Sequence, residues 1–337
     1  MKEALFYTKK DNKSVQCFLC NHRCMIRNGG YGFCRVRLNK EGTLYSLSYD
    51  RLVAANIDSI EKKPLYHFLT GTMSYSIACV GCNFRCDFCQ NWEISQVKEV
   101  EKIGVNNFET LPEKIITEAL RNNCPSISYT YTEPTIYFEL AYNTAKLARE
   151  KGLYNVFVTN GYMSKDALEY ISPYLNAANV DLKSFREEFY HKICKGALAP
   201  VLENIRLMRK LNIWVEVTTL VIPGSNDSQA ELNDIADFLS SVDKDIPWHI
   251  SAFHPEYKFR DSISTPLATL ERAYKIGKSH KLNYVYIGNA HTDYGENTYC
   301  PYCSNLLIKR SGFFVESKEI KEGKCGYCGE KIAGVGL

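Results

Sequence analysis

The sequence alternates between strand and helix patterns from about residue 70 to residue 290. Short runs of β-branched and aromatic residues are typical of buried strands, and longer amphipathic stretches are typical of helices. The predicted strands are residues 76–80, 126–130, 154–159, 178–182, 214–222, 248–253 and 284–287. The predicted helices are residues 111–122, 135–150, 165–171, 201–211, 229–241 and 269–281. Alternating strands and helices form a parallel sheet with right-handed crossovers, so we predict an α/β fold, a partial (β/α)6-type barrel.

The composition is that of an ordinary globular protein without a strongly charged surface. Its 337 residues allow one large domain with smaller appendages, and a hydrophobic fraction of 45% is typical of globular chains. The formal net charge of +3 is too small to favour nucleic acid or an anionic membrane. No apolar run approaches the roughly 18 residues of a membrane helix, and no signal-peptide pattern opens the chain. We therefore expect a cytoplasmic protein with no nucleic-acid or membrane partner.

Two cysteine-rich regions flank the predicted barrel, and they divide the chain into three parts. An N-terminal region covers residues 1–69, the barrel covers residues 70–292, and a C-terminal region covers residues 293–337. Within the first region, residues 42–49 alternate like a strand. Residues 51–67 are predicted to be a connecting segment.

Fourteen cysteines are the most unusual part of the composition. Twelve of them fall into an N-terminal set, a central set and a C-terminal set: Cys17, Cys20, Cys24 and Cys34; Cys79, Cys82, Cys86 and Cys89; Cys300, Cys303, Cys325 and Cys328. Clustered cysteines in a chain without a signal peptide favour metal binding over disulfides. The remaining two, Cys124 and Cys194, are predicted to be buried apolar residues.

The central set contains a three-cysteine motif, in which Cys82, Cys86 and Cys89 are spaced C-x3-C-x2-C after the first barrel strand. A [4Fe–4S] cluster normally takes four cysteines, so three ligands leave one iron free to bind a small molecule. The alternative is a closed zinc site with Cys79 as the fourth ligand. The strand pattern around Cys79 directs its side chain along the flank of the strand and away from the loop, which favours the open cluster.

This motif resembles the cluster motif of the radical S-adenosylmethionine (SAM) superfamily, which has the same spacing and usually an aromatic residue before the last cysteine, here Phe88. Residues 81–92 resemble the enzymes related to pyruvate formate-lyase activating enzyme. Residues 60–68, together with the terminal cysteine sets, are similar to the radical SAM enzymes of the AmmeMemoRadiSam system. The resemblance implies a radical SAM partial barrel with a [4Fe–4S] cluster and SAM as cofactors.

The resemblance also implies which side chains bind SAM, and these lie in the cluster loop or just after predicted strands. The expected contacts are Phe88, Cys89, Gln90, Glu133, Asn160, Asp181, Lys183 and His254. Glu133 would hold the methionine ammonium group; it belongs to a Tyr-Thr-Glu-Pro segment where relatives carry Gly-Gly-Glu-Pro. The Asp181 carboxylate can accept hydrogen bonds from two ribose hydroxyls, and Lys183 can pair with the methionine carboxylate.

The two terminal cysteine sets are predicted to bind metals of their own. The N-terminal set has metal-ligand spacing and would hold either zinc or an auxiliary iron–sulfur cluster. His22 is an alternative ligand there, although we expect it to be an exposed loop residue. The C-terminal set consists of two C-x2-C pairs separated by 21 residues, which is typical of a zinc ribbon or of a rubredoxin-like iron site. Residues 306–308 and 313–315 would form its hairpin strands.

The function that the resemblance implies is reductive cleavage of SAM, followed by hydrogen abstraction from an unidentified protein or small-molecule substrate. Ferredoxin or flavodoxin would donate the electron, and family association suggests MEMO-like or AMMECR-like proteins as partners. The alternative is an iron–sulfur electron-transfer protein without SAM chemistry. A zinc-stabilised nucleic-acid-binding module has little electrostatic basis in this chain.

Overall fold

The computed structural model describes residues 1–97 and 112–337, and an eight-stranded sheet lies at its centre. Seven neighbouring strands of this sheet run parallel and follow one another in chain order. These strands are Met73–Cys79, Ser126–Tyr129, Tyr154–Thr159, Ala177–Asp181, Trp214–Val221, Trp248–Ala252 and Val285–Gly288. Their bounds differ from the predicted ones by at most three residues. The predicted parallel sheet is therefore confirmed.

Helices connect the parallel strands, as the alternating pattern predicts. The six connecting helices are Pro112–Arg121, Phe138–Glu150, Lys165–Ile171, Ala199–Lys210, Gln229–Val242 and Leu267–Ser279. Shorter helical segments are Ile60–Lys62, Trp92–Ser95, Pro134–Tyr137, Ser172–Tyr174, Glu187–Phe189 and Tyr190–Cys194. Residue 111, the predicted start of the first helix, lies outside the described residues. Within the described ranges, every helix is too short or too polar to cross a lipid bilayer.

One strand of the central sheet differs from the prediction. Leu52–Ser59 pairs antiparallel with Met73–Cys79, although the sequence predicts a connecting segment over residues 51–67. Only Leu52 and Asp58 among its eight residues are buried, and the middle of the strand is partly or fully exposed. A two-residue hydrophobic period is therefore missing, and pairing with a distant strand decides the conformation. The central sheet thus begins inside the region predicted as residues 1–69.

The N-terminal region forms two small antiparallel sheets that are attached to the barrel. Their strands are Lys2–Glu3, Tyr7–Lys9, Val15–Cys17, Met25–Ile26, Arg37–Lys40 and Thr43–Ser46. The last of these confirms the strand predicted within residues 42–49. Arg37, which is fully buried, donates from Nη2 to both carboxylate oxygens of Glu139 in a barrel helix, at 2.7 and 2.9 Å. Because a buried charge must be paired, this contact fixes the position of the region on the barrel.

The C-terminal region forms a hairpin that packs against the last barrel strand. Leu306–Ser311 pairs antiparallel with Phe314–Lys318, so the predicted hairpin strands are confirmed. Shorter strands complete the region: Thr298–Tyr299, Ile320–Lys321 and Lys324–Cys325. Its small hydrophobic core includes Tyr66, Tyr284 and Tyr286, which belong to the barrel side of the contact.

A buried polar network connects this region to the bottom of the barrel. The Glu216 carboxylate accepts hydrogen bonds from the backbone N–H groups of Tyr66 and His67, at 3.0 and 2.8 Å, and lies 2.6 Å from His249 Nε2. His67 lies between Ala333 O, 2.7 Å from Nδ1, and the Tyr286 hydroxyl, 2.6 Å from Nε2. Ala333 O can only accept, so His67 donates from Nδ1 and, when neutral, accepts at Nε2. His249 is the satisfied core histidine that its position within a strand suggests.

Because His67 is buried, we predict that the protein becomes less stable at acidic pH. Burial lowers the pKa of His67 to about 4, whereas an unfolded histidine titrates near 6.5. As the pH falls from 6.5 to 4, the unfolded chain binds a proton that the folded protein does not, so the free energy of unfolding should decrease by about 3 kcal/mol. Denaturant unfolding at several pH values measures this slope. His67→Gln retains an amide donor for Ala333 O but cannot titrate, so an unchanged slope in that variant would contradict the assignment.

Candidate metal centre and cofactor site

The three-cysteine motif lies on the loop that leaves the carboxyl end of the first parallel strand. Cys86 is buried, Cys82 and Cys89 are partly buried, and Cys89 Sγ lies 3.1 Å from Ser95 Oγ. Burial raises the pKa of the Cys82 and Cys89 thiols. Thiols with raised pKa values lose their protons readily when a metal cation takes the place of those protons, so the loop fits a metal site.

Cys79 has a partner outside this loop. It is fully buried at the end of its strand, and its thiol donates to the backbone carbonyl of Ser48 at 3.2 Å. Ser48 belongs to the N-terminal region, on the flank of the strand. The position of Cys79 is therefore the one expected for an open three-cysteine site, and it leaves the loop with three ligands.

Cys194 is the residue at this site that the sequence did not indicate. It is fully buried, as predicted, but it lies against Cys86: a hydrogen bond between the two thiols and burial together raise the pKa of Cys86. The backbone carbonyl of Cys194 also accepts from the Arg85 N–H at 2.9 Å. A lone cysteine far along the chain carries no spacing signal, so only the fold could reveal this contact.

Asp181 is the last residue of the fourth parallel strand, and it forms an ion pair with Lys183 just beyond it, beside the loop. Lys183 Nζ lies 2.9 Å from Asp181 Oδ2, and the lysine side chain is 14% exposed. Burial lowers the pKa of Lys183, but the Asp181 carboxylate and the neighbouring Cys86 and Cys194 thiols outweigh it and hold that pKa well above its usual value. The ammonium also lies 5.9 Å from the centre of the Phe88 ring. A permanent cation thus faces the cysteine loop, as the predicted pairing with a carboxylate requires.

Glu133 joins the ends of the second and third parallel strands. Its Oε1 accepts from the Thr135 N–H and hydroxyl and from the Thr159 hydroxyl, while Oε2 accepts from the Asn160 N–H at 2.8 Å. The carboxylate is 2% exposed, and burial raises its pKa despite these bonds. Glu133 therefore caps the following helical turn, which is the alternative role that a carboxylate just before a helical segment suggests. Oε2 has one protein donor and retains the capacity to accept another.

Asn160 connects this carboxylate to the cysteine loop. Its Nδ2 donates to Asn83 Oδ1 at 2.7 Å and lies 3.8 Å from Cys82 Sγ. Its Oδ1 accepts from the Tyr162 N–H at 3.0 Å. The side chain thereby holds the first cysteine of the motif against the end of the third strand.

Tyr131 has a left-handed backbone conformation of the kind that glycine adopts most readily. Its φ of 62° lies in the left-handed region, and its carbonyl accepts from Asn91 Nδ2 at 2.8 Å. The side chain is held in place, because the hydroxyl donates to Asp58 and the Lys63 ammonium lies 4.5 Å from the ring centre. Lys63 and Asp58 are themselves an ion pair at 2.6 Å. These side-chain contacts hold a non-glycine residue in a backbone conformation that glycine favours.

The remaining expected SAM contacts lie at the rim or in the wall of the site. Phe88 is buried between Phe189 and Phe259, with ring centres 5.8 and 6.1 Å away. Gln90 and His254 are exposed, and His254 Nδ1 lies 3.4 Å from Ser264 Oγ. The fold thus brings Phe88 close to Lys183 and leaves the other two side chains at the solvent boundary.

The C-terminal cysteine set forms a second candidate metal site. The sulfur atoms of its four residues all lie within 4.8 Å of one another. The Cys300–Cys328 and Cys303–Cys325 sulfur pairs are both 3.7 Å apart. Four thiolates arranged tetrahedrally around zinc, at about 2.3 Å each, would be separated by about 3.8 Å. The site therefore fits one tetrahedral ion.

The N-terminal cysteine set lines a single small cavity, with Arg37 among the other lining residues. Burial raises the pKa of Cys20 well above its usual value, and the neighbouring thiols Cys17, Cys34 and Cys24 raise it further. His22 is half-buried, in contrast to the predicted exposed loop histidine. Its Nε2 lies 2.6 Å from Asn83 O in the cysteine loop and donates to it. This contact accounts for the partial burial of His22 and occupies its Nε2.

Comparisons with known proteins agree with this site. Residues 76–239 match the family model of the Radical SAM superfamily. The chain is 46% identical to the uncharacterized protein MJ0808 of Methanocaldococcus jannaschii, over 98% of this chain and 99% of that protein. It is 22% identical to the pyruvate formate-lyase 1-activating enzyme of Escherichia coli, over 57% of this chain and 83% of that enzyme. Streptococcus suis SuiB bound to precursor peptide SuiA is similar in fold alone, with a TM-score of 0.50 and 14% identity over 68% of this chain and 51% of that chain.

The family match covers the residues on which the site depends. It includes the three-cysteine loop and the strand ends that carry Glu133, Asn160, Asp181 and Lys183. The partial barrel places these groups together at the carboxyl ends of parallel strands, where barrels of this class bind their ligands. The chain is therefore an enzyme of the radical SAM superfamily, distantly related to pyruvate formate-lyase activating enzymes.

Proposed function

We propose that the protein cleaves SAM reductively and abstracts hydrogen from a protein or small-molecule substrate, as a relative of the glycyl-radical-enzyme activases. The observation that carries the proposal is the number of thiols in the loop. Cys82, Cys86 and Cys89 are available to a [4Fe–4S] cluster, while the nearest fourth thiol in the sequence, Cys79, is bonded to Ser48. Three ligands leave one iron open to the amino and carboxylate groups of SAM.

The described residues fit these cofactors. When bound, the cluster supplies one electron that splits SAM into methionine and a 5′-deoxyadenosyl radical, and this radical takes the hydrogen atom. We propose that the Lys183 ammonium pairs with the methionine carboxylate and that Glu133 Oε2 accepts a hydrogen bond from the methionine ammonium group. Asp181 is 37% exposed, so its carboxylate can reach ribose hydroxyls. Phe88 and its aromatic neighbours exclude water from this side of the loop.

The proposal also includes the cellular location, the electron donor, the partner proteins and the C-terminal metal. All fourteen cysteines carry free thiols, which supports a reducing, cytoplasmic location. Ferredoxin or flavodoxin is the proposed electron donor, and MEMO-like or AMMECR-like proteins are the proposed partners by family association. At the C-terminal site we propose zinc, because four thiolates at tetrahedral spacing leave no open position for chemistry.

Formation of 5′-deoxyadenosine tests this function. Anaerobically reconstituted protein, mixed with SAM and dithionite, should release 5′-deoxyadenosine and methionine in equal amounts. Deuterium transfer into 5′-deoxyadenosine from a labelled candidate partner would then identify the substrate. A protein that takes up electrons but never forms 5′-deoxyadenosine would instead be the electron-transfer protein of the alternative hypothesis.

At Tyr131, we expect the backbone conformation to affect SAM cleavage more than the side chain does. In Tyr131→Gly, loss of the hydrogen bond to the charged Asp58 costs about 1.5–3 kcal/mol, and relief of the left-handed conformation returns about 1–2 kcal/mol. We therefore expect a small change in the free energy of unfolding and retained SAM cleavage. Tyr131→Val, which is β-branched and disfavours a positive φ, should lower both quantities. Equal cleavage by the two variants would contradict a role for this conformation.

A further inference from the structure

The N-terminal cysteine set has the features of a built ligand site. Four thiols converge on one cavity, and Arg37 lines it with them. Arg37 Nε is buried and has no hydrogen-bond partner among the described residues, although both Nη atoms are bonded. A buried N–H donor without an acceptor is costly. A ligand that brings an acceptor sulfur into the cavity would satisfy it.

The spacing of the thiols distinguishes this site from the C-terminal one. In the described part of the chain, the C-terminal set is the group whose ligand atoms all lie within 4.8 Å of one another, and no three thiols of the N-terminal set meet that limit. The three thiols of the cluster loop do not meet it either. A single zinc ion draws four sulfurs to about 3.8 Å from one another. A cubane holds each thiolate on a different iron and therefore separates them more widely.

Two sets of hydrogen bonds connect the N-terminal cysteine set to the cluster loop. In the first, His22, two residues after Cys20, donates from Nε2 to the carbonyl of Asn83, the residue next to Cys82, at 2.6 Å. In the second, Arg85 donates to the carbonyl of Phe33, the residue before Cys34, and to the carbonyl of Cys82 at 2.7 Å.

These connections are fixed by packing as well as by hydrogen bonds. The His22 and Phe33 rings lie 4.3 Å apart, and the Arg85 guanidinium lies 4.9 Å from the centre of the Phe33 ring. Gly81, at the start of the loop, has no room for a side chain, because a Cβ there would meet Cys34 O at 3.2 Å and Val36 at 2.9 Å. The two cysteine sites are thus packed directly against each other.

We propose that Cys17, Cys20, Cys24 and Cys34 bind a second [4Fe–4S] cluster, which relays electrons to the cluster loop through the contacts of His22 and Arg85. With all four irons ligated by cysteine, this cluster has no position for SAM and serves electron transfer alone. In each transfer a low-potential one-electron donor, such as flavodoxin hydroquinone, is oxidised by one electron and the N-terminal cluster is reduced by one. The N-terminal cluster then passes this electron to the cluster in the three-cysteine loop and is thereby reoxidised. The relay role rests on the proposed SAM chemistry, whereas the cluster itself does not.

Metal content tests the cluster independently of SAM cleavage. Anaerobically reconstituted wild-type protein should contain about eight irons, four for each cubane, and one zinc ion. Cys82→Ala/Cys86→Ala/Cys89→Ala should retain about four irons on the N-terminal set. Cys303→Ser/Cys325→Ser is the matched control and should lose zinc while retaining all the iron. A triple variant without iron would overturn the proposal, and two zinc ions in that variant, one more than the C-terminal site accounts for, would identify an N-terminal zinc site instead.

Spectroscopy on the wild-type protein covers the case in which a variant fails to fold. Reduced wild-type protein should give two cluster signals by electron paramagnetic resonance, of which SAM shifts only one. A single signal would overturn the second cluster. If two signals appear and SAM shifts neither, the proposed SAM chemistry fails while the second cluster stands.

The relay itself is tested by the choice of reductant. Cys20→Ala/Cys34→Ala should retain the iron of the cluster loop, and dithionite should reduce it as in the wild type. Reduction by flavodoxin hydroquinone, followed by freeze-quenching, should be lost in this variant. Equal reduction of the variant and the wild type by flavodoxin would overturn the relay.

Discussion

Cys86→Ala is expected to remove the iron of the cluster loop, about four atoms per cubane, and to abolish 5′-deoxyadenosine formation completely. Two remaining thiols cannot hold a cubane that already has one iron without a protein ligand. Lys183 would lose Cys86 as a neighbour but would keep its ion pair with Asp181. Iron analysis, absorbance near the cluster bands and product chromatography measure the two losses in one preparation.

Two cysteine variants are matched controls for this experiment. Cys79→Ala removes a thiol that is bonded to Ser48 outside the loop, and Cys194→Ala removes the thiol that lies against Cys86. Both should retain iron and SAM cleavage, because neither residue belongs to the motif. Retained cleavage in Cys86→Ala, or loss of iron in Cys79→Ala, would falsify the assignment of the three ligands.

Cys303→Ser/Cys325→Ser is expected to release the C-terminal metal ion and to unfold the C-terminal hairpin. Structural zinc contributes an apparent free energy of about 10–16 kcal/mol in small zinc domains, more than the few kcal/mol that so small a core supplies on its own. Hydrogen bonds that Asn305 donates lower the pKa of the Cys303 thiol, which favours the thiolate that zinc requires. The hairpin covers Tyr66, Tyr284 and Tyr286, and these side chains would become exposed.

Limited proteolysis and zinc analysis measure this effect. Cleavage should appear within residues 293–337 of the variant, while the barrel remains protected by its own core. Cys124→Ala, which removes a buried cysteine outside all three sets, is the control and should retain both zinc and protection. A variant that has lost its zinc but whose hairpin still resists the protease would show that packing alone folds this region.

The sequence predicted the barrel accurately because its strands are buried on both faces. Ala177–Asp181 and Trp214–Val221 are nearly continuous runs of buried residues, and such runs separated by amphipathic helices leave few alternatives. Leu52–Ser59 has no such pattern, because an edge strand is stabilised by one neighbour and is partly exposed to solvent. Its pairing with Met73–Cys79 could therefore not be predicted from local residues.

The candidate site likewise contains some residues that the sequence could predict and others that only the fold reveals. Spacing alone pointed to Cys82, Cys86 and Cys89, since three cysteines within eight residues lie on one loop. Cys194 has no neighbouring cysteine to form a spacing pattern, and its contact with Cys86 depends on how a later loop returns to the site. Tyr131 could not be recognised as glycine-like, because its φ is held by Asp58 and Lys63 from another part of the chain.

By itself, the sequence determined the strand order, the three-cysteine loop and the grouping of cysteines at both ends, because these depend on periodicity and short spacing. The tertiary structure alone decided that Cys79 bonds to Ser48, that Glu133 bonds to Thr159 and Asn160 at the end of the next strand, and that His22 reaches the cluster loop. The physical reason is the range of the interactions. Hydrophobic period and metal-ligand spacing act over a few residues, whereas a buried hydrogen bond takes whichever partner the fold brings within about 3 Å.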